Sequence, residues 1–217
     1  MKYKTVIFDV DGTLFDTSQG IFSCIQFVLD SMNYPQLEVD KLRKFIGPPV
    51  YDSFMAICGM SSEEAKKATQ LYRSSYVEKF ISFSKLYDGM ADLINELKNN
   101  GVKIGIATMK TGPQIEKLLD IFNLTETFDS VSFAVPSGKK SKSDIINEVL
   151  DATATGPEDA VMIGDSIYDG VGASSSAVDF IAVSYGFGIN SEQQLKDTDT
   201  EYVCFADSVK MLSEYLS

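Results

Sequence analysis

From about residue 86 onward the chain alternates between two kinds of segment. "VKIGIAT", "FDSVSFAV", "DAVMIGD", "VDFIAVSYG" and "EYVCFA" are short, apolar and rich in branched residues. Between them lie "ADLINELKNNG", which closes on Gly101, "GPQIEKLLDIF", with Pro113 in its first turn, and "SDIINEVLDAT". The first set reads as strands, ending at Thr108 in one case and at Asp165 in another, and the second as helices. The last residues form a terminal helix. Such alternation builds a mostly parallel sheet with helices on both faces.

One strand stands apart from this series. "KTVIF", Lys4–Phe8, lies near the N-terminus and is followed by a long block of different character. "GIFSCIQFVLDSM" places Ile21, Ile25, Val28 and Met32 on one helical face. "SSEEAKKATQLYRSSYVEKFI" is helical too, with Ser61 and Glu64 as a capping box, and "FIGPPVYDSFM" is a Gly-Pro-Pro break before another helical run. No strand is expected in this block. The expected architecture is a doubly wound α/β core, residues 1–16 and 86–217, with an all-helical cap, residues 17–85, inserted after the first strand. Phe15–Ser18 and Ser84–Gly89 are the expected hinges, and Asp16 belongs to the first of them.

In open parallel sheets, ligands bind beyond the carboxyl ends of the strands. The distinctive polar residues fall there. Asp9 and Asp11 follow the first strand, Thr108 ends the second, Lys142 opens a helix, and Asp165 and Asp169 follow "DAVMIG". A lone Asp-Gly after a strand is ordinary turn chemistry. Two aspartates flanking one residue, joined by a second pair four residues apart, form an acidic cluster that repels itself without a divalent cation. Carboxylate oxygens suit Mg²⁺. With a metal present, one carboxylate of "DVDGT" can attack phosphorus and the other can move protons, while Gly12 lets amides turn towards an anion. Thr108 and Lys142 can hold phosphoryl oxygens. Lys139 and Lys140 compete with Lys142, which is preferred because it abuts the helix start.

Composition removes several alternatives. The chain contains no histidine, which excludes Ser–His and Cys–His nucleophile pairs and His-ligated metals. A net charge of −12 argues against a nucleic-acid or anionic-membrane binder. Cys24, Cys58 and Cys204 are few and scattered, so reduced buried thiols are expected rather than disulfides or zinc. No leader or spanning segment is read from the sequence, and a cytoplasmic location is expected. Oligomeric state stays open.

"DVDGTLFDT" resembles motif one of the haloacid dehalogenase superfamily, and Thr108, Lys142 and "GDSIYD" resemble its second, third and fourth motifs in order and spacing. The resemblance spans the whole chain and is greatest to the phosphoglycolate-phosphatase-like branch, which has a helical cap on a Rossmann-like core. It implies a Mg²⁺-dependent phosphatase acting on a small phosphorylated metabolite: phosphoglycolate-, nucleotide- or sugar-phosphate-like. Asp9 is then the nucleophile and a metal ligand, and Asp11 the general acid/base whose carbonyl binds the metal. Thr108 and Lys142 contact the phosphoryl group, Asp165 is a metal ligand, and Asp169 is a ligand or orients the metal's waters. Gly12, Thr13, Met109 and Lys110 line the substrate site. "FIGPP" resembles the cap loop that faces the leaving group, which assigns Ile46, Gly47 and Pro48 to specificity. Relatives often carry asparagine or serine at the position of Met109 and proline at that of Ser143. A dehalogenase lacks the second motif-one aspartate, so Asp11 favours phosphoryl transfer. A sugar-phosphate mutase shares every group named. A phospho-acceptor signalling domain is shorter and has no helical insertion.

Overall fold

A computed structural model describes residues 2–135 and 140–217. Strand β1 (Thr5–Phe8) and the short β2 (Phe15–Asp16) come first. A helical run follows: α1 (Ser18–Ser31), α2 (Val39–Arg43), α3 (Val50–Cys58) and α4 (Ser62–Ser75), then a π-helical turn at Tyr76–Phe80 and a 3₁₀ turn at Ile81–Phe83. Alternation begins after β3 (Lys85–Leu86), with α5 (Met90–Asn99), β4 (Lys103–Thr111), α6 (Gly112–Ile121), β5 (Ser130–Ala134) and α7 (Lys142–Thr153). It continues through β6 (Ala160–Gly164), α8 (Ile167–Ser175), β7 (Asp179–Val183), α9 (Glu192–Asp197), β8 (Cys204–Ala206) and α10 (Val209–Leu216).

The main sheet has six strands in the order β5-β4-β1-β6-β7-β8, and its ladders are parallel. Every residue of β1 and β6 is buried, as expected of strands covered on both faces. Ile7, Met162, Ile145, Val149 and Phe180 belong to one core cluster. Gly105 of β4 is where a helix comes close, since a methyl group built there would lie 2.3 Å from Val149 of α7. β2 and β3 form a separate two-stranded sheet. The fold is an α/β core with a six-stranded parallel sheet and a helical insertion.

Two compact units result: Met1–Asp16 with Leu86–Ser217, and Thr17–Lys85. Within the second, α1 buries Ile21, Cys24, Ile25, Val28 and Leu29. Ser61 and Glu64 make a capping box at the start of α4. Gly20 lets α1 approach the π turn, because a methyl there would stand 2.5 Å from the Phe80 carbonyl oxygen.

Some local expectations need correction. β4 continues to Thr111 rather than ending at Thr108, with a register shift between Thr108 and Thr111 where the ladder to β5 skips. The expected strand-free stretch ends in β3, too short to show a period. α9 lies in a polar segment that carried no helical signal. The helix read across residues 61–81 is α-helical only to Ser75. Cys24, Cys58 and Cys204 are free thiols. Among the described residues no helix is long and apolar enough to cross a membrane.

Candidate active site

Parallel register gathers the candidate residues. Phe8 of β1 pairs with Ile106 of β4 on one side and Ile163 of β6 on the other. Asp9 follows Phe8, and Thr108 and Asp165 lie just beyond Ile106 and Ile163. All three reach the same end of the sheet, where β4 and β6 flank β1 and the strand order reverses direction. Asp9, Thr108, Lys142, Asp165 and Asp169 are all buried.

Three carboxylates meet there. Asp9, Asp165 and Asp169 each bring an oxygen to within 4.8 Å of the others. Lys142, the first residue of α7, stands among them. Its Nζ donates to Asp9 Oδ1 at 2.6 Å and to the Ala107 carbonyl at 2.6 Å, and lies 2.7 Å from Asp169 Oδ1. Ser141 sets this helix start by accepting from the Asp144 amide at 3.2 Å. Asp169 is held from its other side: Oδ2 accepts from the Ser166 amide at 3.1 Å and hydroxyl at 2.6 Å, closing the capping box of α8. Asp165 Oδ2 accepts from the amides of Phe187 and Gly188 at 2.6 and 3.2 Å. Gly12, with φ +76°, gives the loop after β1 its close approach, because a methyl there would lie 2.1 Å from Asp165 Oδ2.

The electrostatics follow from burial and crowding. Desolvation raises Asp9 to about 7; Lys142 opposes the shift, while Asp169 and Asp11 add to it. Asp165 is pushed well above the usual carboxylate range by desolvation, then by Asp169 and Asp9, against the pull of its two amide donors. Burial works to lower the Lys142 ammonium, but Asp169 and Asp9 overrule it and hold it above its ordinary value. One ammonium thus serves two of the three clustered carboxylates, Asp9 and Asp169. An all-oxygen, carboxylate-rich donor set of this kind fits a hard divalent cation.

The neighbouring residues complete the loop. Asp11 Oδ1 forms an ion pair at 2.9 Å with Lys110, which the β4 irregularity buries while leaving Met109 exposed. Thr108 Oγ1 accepts from the Lys110 amide at 3.1 Å. Thr13 Oγ1 is buried with no partner among the described residues. Lys140 Nζ turns instead to Glu148 and to the Phe133 carbonyl, at 3.0 Å for the latter. Lys139 lies outside the described residues. Ile46, Gly47 and Pro48 sit in the helical unit between α2 and α3, with Gly47 at φ +100°.

The family model for haloacid dehalogenase-like hydrolases matches residues 6–183. The chain belongs to that family. This HAD-type hydrolase is similar to tyrosine-protein kinase PtkA of Mycobacterium tuberculosis, 32% identical over 215 residues, covering 98% of this chain and 72% of that one. It is 30% identical to a 5'-nucleotidase of Pseudomonas aeruginosa, over 94% of this chain and 92% of the relative. A predicted phosphatase from Clostridium acetobutylicum has a solved structure that superposes with a TM-score of 0.88 at 33% identity, covering 100% and 99% of the two chains. The HAD hydrolase is thus an enzyme of the phosphatase type.

Two features of the HAD centre were not read from sequence. The amides of Phe187 and Gly188 lie in "YGFGI", whose paired glycines after a strand were the available signal. The Lys110–Asp11 pair depends on the β4 irregularity, which periodicity does not reveal.

Proposed function

We propose that this hydrolase is a Mg²⁺-dependent phosphatase that cleaves a small phosphomonoester through an aspartyl-phosphate on Asp9. The observation that carries the reading is the Asp9 carboxylate at the end of the central strand, 2.6 Å from the Lys142 ammonium and clustered with Asp165 and Asp169. Asp9 attacks phosphorus in line, and the alcohol leaves with a proton from Asp11. Asp11 then takes a proton from water, which attacks the phosphorus of the aspartyl-phosphate and releases phosphate and Asp9. Lys142 and Thr108 hold the phosphoryl oxygens, and Gly12 gives the loop beside them its turn. Mg²⁺ held by Asp9, Asp165 and the Asp11 carbonyl, with Asp169 beside them, supplies neutralisation of the phosphoryl charge.

The leaving group is proposed to be a small metabolite such as a nucleoside, a sugar or glycolate. The resemblance to a 5'-nucleotidase supports starting with nucleoside monophosphates. Met109, Lys110, Ile46, Gly47 and Pro48 are proposed to shape that choice. The test is phosphate release from a panel of phosphomonoesters with Mg²⁺, with Asp9→Asn as blank. Turnover that survives in the Asp9 variant sinks the mechanism. Phosphoryl migration within a sugar phosphate, without phosphate release, assigns the chain to the mutases instead.

A further inference from the structure

A segment outside the four motifs holds the site together. Tyr185–Gly188 leaves the carboxyl end of β7 and meets the centre at three points. The Tyr185 hydroxyl donates to the Thr13 carbonyl at 3.2 Å. The amides of Phe187 and Gly188 donate to Asp165 Oδ2. Gly186 lies between them with its backbone pressed on both partners: a methyl built there would stand 2.4 Å from Asp165 Oδ2 and 2.4 Å from the Gly12 carbonyl oxygen. The segment therefore bridges the loop after β1 and the carboxylate that ends β6.

We infer that Tyr185 is a positioning residue for the metal site, tying the loop after β1 to the amides that orient Asp165. The inference rests on the cation chemistry proposed above. Two N–H donors on Oδ2 fix the rotation of the Asp165 carboxylate and give Oδ1 a single direction. Mg²⁺ demands near-ideal donor placement, so its affinity depends on groups that orient its ligands. Tyr185 supplies the anchor from which Gly186, Phe187 and Gly188 are hung. Tyr87 braces it in turn: the rings meet edge to face at 4.8 Å, and the Tyr87 hydroxyl donates to the Tyr185 carbonyl at 3.4 Å. A role in packing alone lowers stability and leaves metal affinity unchanged.

Calorimetric titration with Mg²⁺, without substrate, separates the two. Tyr185→Phe keeps the ring and removes the hydroxyl. It weakens Mg²⁺ binding roughly tenfold, and turnover recovers at saturating Mg²⁺. Gly186→Ala weakens binding further. Tyr3→Phe is the control: it deletes a hydrogen bond of similar kind, to Asp179 at 2.6 Å, at the opposite end of β7, and leaves Mg²⁺ affinity unchanged. Wild-type affinity in Tyr185→Phe, or an equal loss in Tyr3→Phe, overturns the inference. A wild-type protein that takes up no Mg²⁺ overturns the cofactor reading itself, and that result is in hand before any variant is measured.

Discussion

Lys142 divides one ammonium between two carboxylates, Asp9 at 2.6 Å and Asp169 at 2.7 Å. Asp169 therefore has a different task from Asp165, although both belong to the acidic cluster. Its Oδ2 is used by Ser166 and its Oδ1 by Lys142, which makes it a holder of the lysine before it is a donor to a cation. Asp165 has one oxygen on backbone amides and offers the other. Asp165→Asn is expected to abolish Mg²⁺ binding. Asp169→Asn is expected to weaken it less and to lower turnover by roughly ten- to a hundredfold through a misplaced lysine. Parallel Mg²⁺ titrations of the two variants check this, and equal losses of affinity refute it. The same geometry separates the lysines. Lys142→Ala leaves Asp9 and Asp169 buried without their cation, so it is expected to cost about 3–5 kcal/mol of stability along with activity. Lys140→Ala removes a partly exposed pair with Glu148 and is expected to change turnover less than about threefold. Urea unfolding and phosphate release on the two proteins decide between them.

At the scale of elements, helix α8 links fold to site. Its capping box uses Asp169 as the acidic member, so the group that ends the loop after β6 also starts the helix. Ser166→Ala is expected to lose about 1 kcal/mol of stability and, unlike a cap elsewhere, to depress turnover as well. Ser61→Ala at the start of α4 is expected to lose a similar stability, and it serves as the comparison in denaturant melts. Most elements were legible because period and punctuation agree: β6 is a continuous apolar run, Pro113 sits in the first turn of α6, and Gly101 closes α5 at φ +75°. What escaped has a common physical origin. β2 and β3 are two residues each and exist only through pairing. The irregularity after Thr108 arises where β4 must part from β5, a long-range demand absent from local pattern. The motif aspartates could be read as a set because their spacing is local and their charge costly. The amides of Phe187 and Gly188 are backbone groups, and their role depends on where the segment after β7 is carried by register.

The whole molecule carries the cost of this centre in its stability. Asp9 stands at about 7 in the folded protein against an ordinary 3.8, and Asp165 is displaced in the same direction. Between those values the folded state keeps protons that the unfolded chain releases. Stability of the metal-free protein therefore falls as pH rises through that window, and the destabilisation is complete above the folded value. The divalent cation proposed for this centre would take the place of those protons, so its stabilising effect is expected to grow over the same range. The overall charge of −12 adds a background trend of the same sign through self-repulsion, so a slope alone does not isolate the centre. Asp9→Asn does isolate it, by removing the most central carboxylate while retaining its shape. Thermal melts of metal-free wild type and Asp9→Asn, at about pH 5 and about pH 8, are expected to diverge: the wild type loses more of its melting temperature between the two, and near neutrality the inactive variant is the more stable protein. Added Mg²⁺ is expected to raise the wild-type melting temperature more at the higher pH and to narrow the gap between the two proteins. Curves that run parallel with pH show that the acidic centre is not what burdens the fold.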